Sequence, residues 1–214
     1  MTYVAWAVVY EGDTDAAYFN VLIPRLMEDL AIAGTKLPNI PTVPAIRLKR
    51  GGPEEVAKEA CATSDAFYIV FIHADTGGRG LASSIGSRST AYCEEMHKLC
   101  GWSTDRCVLI SPRHETEAWI LADPAAVTGT LGYTGSAASL GLPTTPAEAE
   151  RLIDPKATLR QAIAQVRGRR RAIDLAQVFP AIAQRQSLAE LRKSPSFQAF
   201  EDGVRKALND LHCL

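Results

Sequence analysis

The chain has 214 residues, enough for one substantial core or for one core with a small appendage. Its apolar fraction of 47% and charged fraction of 22% are those of an ordinary globular protein, and no apolar run approaches the ~20 residues of a membrane span, so no membrane contact is expected. A formal net charge of −1 leaves the molecule without an overall pull on polyanions, so any nucleic-acid binding must come from a local patch.

Residues 3–10 are rich in Val, Ala and aromatic side chains and read as a buried first strand, with no signal peptide before it. Gly12 permits a turn and Thr14 can cap the next helix, which carries Phe19, Leu22, Ile23, Leu26, Met27 and Leu30 at helical spacing. Pro24 is expected to kink or split that helix. Pro38, Pro41 and Pro44 mark a loop, and 43–48 form a short second strand running into Lys49-Arg50-Gly51-Gly52. Pro53, Glu54 and Glu55 open a helix. Residues 67–73 are apolar enough for a central strand, Gly77, Gly78 and Gly80 form a flexible loop, 89–99 read as a helix and 107–110 as a strand. This alternation predicts an α/β fold with an open parallel sheet and helices on both faces.

The composition changes after Asp123-Pro124. Residues 128–146, rich in Gly, Ser, Thr and Pro, read as a flexible excursion between a core at 1–127 and a helical C-terminal extension at 147–214. Helices are expected at 147–153, 156–166, 173–183 and 197–211. Whether they pack on the core is not readable from the sequence. The five cysteines form no CxxC pair, and their odd number favours reduced thiols in a cytoplasmic protein without a zinc site.

Acidic residues follow three of the strands: Glu11 after the first, Asp75 after 67–73, and Glu115 with Glu117 after 107–110. Open α/β sheets place their sites at such strand ends, and carboxylates gathered there suit a hard metal. Asp13 and Asp15 fit the first turn of a helix through its dipole. Strand alternation puts His73 on the side of Asp75, as a metal ligand, as a group orienting that acid, or simply as a hydrogen-bonded histidine near a core strand. On a helix, Glu117 points about 160° from Glu115, so one of the two should face solvent or a partner. Trp119 reads as core, and Asp123 as the end of the helix. Arg113 and His114 suit a phosphate or the acids themselves. Basic residues for nucleic acid are Arg47, Lys49 and Arg50 on the rim of the acids, and Arg167, Arg169, Arg170 and Arg171 in the densest cluster. No aromatic residues interleave with that cluster, so a base-stacking platform is not indicated. There is no GxxxxGK[ST] phosphate loop and no GxSxG nucleophile elbow.

A strand followed by Glu11-Gly12, a helix, and a hydrophobic strand ending in an Asp-x-Asp-like His73-Ala74-Asp75 resembles the Toprim domain of topoisomerases, primases and OLD-type nucleases. Residues 114–123, Asp154-Pro155-Lys156 and the run from Ser194 through Phe197 to Phe200 are similar to a Toprim-like family related to OLD-type nucleases, often encoded beside ATPases in phage-defence or mobile loci. The resemblance implies Mg²⁺- or Mn²⁺-dependent phosphoryl transfer on nucleic acid, DNA above all. Glu11 would be a general acid/base or metal contact, Asp75 would hold the metal, and Glu115 or Glu117 would complete the catalytic acids. Gly12, His73 and His114 would support them. It also implies a partner ATPase and allows a homodimer. His73 stands where the motif has its first acid. That departure favours the alternatives of Mn²⁺ over Mg²⁺, or of a non-catalytic regulatory or adaptor subunit bound to an ATPase. A phosphatase or nucleotide hydrolase with the same acids is the third reading, and would not need the basic rim.

Overall fold

The computed structural model describes residues 2–34, 36–75, 90–168 and 174–214. Four apolar segments pair in parallel as β1 (Trp6–Val9), β2 (Ile46–Arg47), β3 (Ile69–His73) and β4 (Cys107–Ile110), in the order β2-β1-β3-β4. β1 and β3 are therefore central, as the unbroken apolar run at 67–73 suggested. Alternation sorts their side chains between two cores. Trp6, Val8, Ile69, Phe71, Val108 and Ile110 face the larger core, while Ala7, Val9, Val70, Ile72 and Cys107 face the smaller.

The smaller face is covered by α2 (Pro53–Ala62) and α3 (Thr90–Cys100). The larger is covered by α1 (Asp13–Ile32), α4 (Thr116–Leu121), α5 (Pro124–Leu131), α6 (Pro146–Ala149), α7 (Pro155–Arg167), α8 (Leu175–Arg185), α9 (Leu188–Leu191) and α10 (Pro195–Asp210). The C-terminal helices thus share one core with the sheet: α8 packs on α1, and α10 lies along β4. Gly203 of α10 is where a Cβ would meet Val108 Cγ1 at 3.2 Å. Within 128–146, α5 ends, a 3-10 turn covers Ala137–Leu140, and Leu140 and Leu142 are buried in that core.

Several expectations change. Pro24 neither splits nor ends α1, because Leu22, Ile23, Leu26 and Met27 hold both sides of it in the core. Arg25 beside it donates to the carbonyls of Ala183 and Gln186. The second strand shrinks to two residues at the sheet edge. The reduced thiols are overturned: Cys61 pairs with Cys100 and Cys93 with Cys107, at Cα separations of 5.9 and 5.7 Å. Only Cys213 is free among the cysteines. The Gly77, Gly78, Gly80 loop lies outside the described residues. Among the described residues no helix is long and apolar enough to cross a membrane.

The segments singled out around Trp119 and Ser194–Phe197 meet in the interior. Trp119 Nε1 donates to Ser196 Oγ at 2.7 Å. Glu150, 5% exposed, accepts at Oε1 from the hydroxyls of Ser194 and Ser196 and from the Ser196 N–H at 3.0 Å. These residues fasten α10 beneath α4, the helix that contains Glu117.

Candidate active site at the strand ends

β1 and β3 are neighbours in register, Val9 opposite Ile72, so Glu11 and Asp75 leave the sheet side by side. Burial, and then the Asp75 charge, push the Glu11 carboxyl above its ordinary value, while His73 and Arg50 draw it back.

His73 is 2% exposed and is the hub between these strands and α4. Its ring packs on Phe19 with centroids 4.8 Å apart. Nδ1 accepts the Glu11 N–H at 3.4 Å, which places the ring proton on Nε2. Nε2 is 3.2 Å from Thr116 Oγ1, whose own proton goes to Asp15 Oδ1 at 2.7 Å. Nε2 also lies 3.3 Å from Asp75 Oδ1, but off the hydrogen-bond direction; that oxygen is buried and has no hydrogen-bond partner among the described residues.

Glu115 precedes α4 in an extended conformation (φ −149°), so the helical separation of Glu115 and Glu117 does not apply. Their charges interact, and Glu117 also feels Asp15. Glu115 is half-buried and Glu117 is buried. Glu115 Oε2 is buried without a hydrogen-bond partner among the described residues. Glu117 is 4% exposed, and burial pushes its carboxyl up to about 7 despite Lys156, whose Nζ is 3.8 Å away. Lys156 and Arg160 of α7 line a cavity of about 570 Å³ with Glu115 and Asp154.

The basic residues divide. Arg50 Nη1 donates to the Glu11 carbonyl at 3.1 Å, and Arg47 pairs with Asp13 at 2.7 Å and lies over the Tyr10 ring. Both line a cavity of about 390 Å³ with Lys49, Glu11 and Gly12. Arg113 is exposed, and His114 has a left-handed φ of 68° in the turn before α4. Arg167 ends α7 and is not among the residues that line the cavities at the acids. Arg169, Arg170 and Arg171 lie outside the described residues. Asp123 caps α5 rather than acting in the site, accepting the N–H groups of Ala126 and Ser187.

Asp15, Thr116, Lys156 and Arg160 join the site without having been singled out as site residues. Asp15 carried an adequate helix-dipole explanation, and Lys156 lay in a different predicted segment. Among the described residues no three His, Cys, Asp or Glu side chains form a ready metal cluster. The donors do fit a smaller demand. Mg²⁺ and similar ions take one or two carboxylates and keep several waters, and the adjacent Glu11 and Asp75, the latter with an unpartnered oxygen, are such a pair. Comparison of the chain with protein-family models, curated proteins and solved structures gave no match.

Proposed function

We propose that this chain is a Toprim-like, divalent-metal-dependent nuclease that hydrolyses nucleic-acid phosphodiesters, with DNA as its expected substrate and an ATPase as its partner. The observation that carries this reading is the pair Glu11 and Asp75 on adjacent parallel strands, their carboxylates repelling each other, with Arg50 held against the backbone of Glu11. A cation relieves that repulsion. When bound, Mg²⁺ or Mn²⁺ would supply charge neutralisation at the phosphate and a more acidic bound water.

The protein's own residues do the rest. Glu11 and Asp75 would hold the ion. His73 fixes the Glu11 backbone and Thr116, and through Thr116 orients Asp15. Arg50, Arg47 and Lys49 would bind backbone phosphates on one side of the acids. Glu117, titrating at about 7, can take or return a proton near neutral pH.

The test is supercoiled plasmid incubated with Mn²⁺ or Mg²⁺, alongside Glu11→Gln and Asp75→Asn. Nicking that requires metal and falls about 100-fold or more in both variants is expected. Absence of cleavage together with absence of Mn²⁺ binding by electron paramagnetic resonance would refute the reading. One observation favours the adaptor alternative: His73, in place of an acid, already has partners for both ring nitrogens. In that case Mn²⁺ fails to bind while the ATPase still does.

A further inference from the structure

Both disulfides take a cysteine from α3. Cys100 at its C-terminal end joins Cys61 in α2, and Cys93 near its start joins Cys107 of β4. The helix needs them, because Cys93 and Met96 are its only buried residues. An eleven-residue helix with two buried side chains has little apolar area to hold it down.

The two bonds differ in access. Cys93 and Cys107 are 5% and 8% exposed and lie in the smaller core. Cys100 is exposed and Cys61 half-buried. Thiol–disulfide exchange requires a thiolate to reach a sulfur, so the two bonds meet reductant unequally. α3 also reaches the site. Tyr92 Oη donates to the Gly51 carbonyl at 2.9 Å, and the preceding Arg50 donates to the Glu11 carbonyl at 3.1 Å.

We propose that Cys61–Cys100 is a thiol-exchange site, at which a low-molecular-weight thiol releases the end of α3 from α2 and loosens the Arg50–Gly51 rim, while Cys93–Cys107 stays closed. A thiolate attacks the sulfur of Cys100, the more exposed of the two residues, forms a mixed disulfide and expels the Cys61 thiolate, which takes a proton. A second thiol attacks the mixed disulfide and frees Cys100. Two electrons and two protons pass to the protein, and two thiols leave as one disulfide. The larger core, with α1, α4 and α10, contains neither bond.

The full chain is purified without reductant, incubated with reduced glutathione, alkylated and mapped by mass spectrometry. Cys61 and Cys100 are expected to label together, before Cys93 and Cys107. Hydrogen exchange in residues 90–100 and 49–53 should then rise about 10-fold or more, while 13–32 and 195–210 keep their protection. The double variant Cys61→Ser/Cys100→Ser should show the raised exchange without glutathione and no response to it. Equal labelling of all four cysteines, labelling of all before any reductant, or unchanged exchange after Cys61 and Cys100 are free would each overturn the proposal. None of these readouts depends on nuclease activity.

Discussion

Glu117 offers the sharpest quantitative test. Its carboxyl titrates at about 7 in the fold, chiefly through burial, against an ordinary 4.5. The sign follows from proton counting. Below pH about 4.5 both folded and unfolded chains carry the proton, and nothing is lost. Between about 4.5 and about 7 the unfolded chain releases it while the native state keeps it, so stability falls as pH rises. Above about pH 7 the native state carries the full penalty of a buried carboxylate, about 3 kcal/mol. Glu117→Gln keeps the shape of the protonated acid and removes the charge. Urea denaturation of both proteins at pH 5 and pH 8 isolates the effect, since other titrating groups cancel in the difference. The variant should gain stability relative to the wild type by about 2 kcal/mol between those two pH values. A difference that stays flat with pH, or grows in the wild type's favour, would refute the argument that burial governs this carboxyl.

Two further substitutions probe the frame that holds the acids. Glu150→Ala leaves three buried donors, on Ser194 and Ser196, without their acceptor, and should cost at least about 3 kcal/mol in urea unfolding. Asp123→Ala removes the α5 cap and the acceptor for Ser187 N–H, and should cost about 2 kcal/mol by thermal denaturation.

The strands were legible because burial on both sheet faces leaves an unbroken apolar run, as at Ile69–His73 and Cys107–Ile110. β2 was not, since at the sheet edge only two of its residues pair. α5 went unseen as a helix because Pro124–Leu131 carries Gly and Thr and little amphipathic pattern, although Asp123-Pro124 is a good capping signal. The disulfides were illegible because spacing does not determine which cysteines meet. Glu11, Asp75 and Glu117 could be picked out from their places after apolar runs. Their company could not: the Asp15–Thr116 hydrogen bond joins residues 101 positions apart.

The histidine at position 73 has a consequence for how this site is held together. Ile69, Phe71 and His73 alternate onto the same face of β3, so position 73 points into the larger core under Phe19. A carboxylate there would be buried beside Asp15, Glu11 and Asp75, and burying an unpaired charge among like charges is costly without a cation. The imidazole fills the same position without a negative charge. It accepts from the Glu11 backbone at one nitrogen and donates toward Thr116 at the other, tying β1, β3 and α4 together. The backbone of Glu11 and the start of α4 are thereby fixed relative to the end of β3. On the proposed reading, a cation would be held by Glu11 and Asp75 at the strand ends rather than by a residue needed for the core.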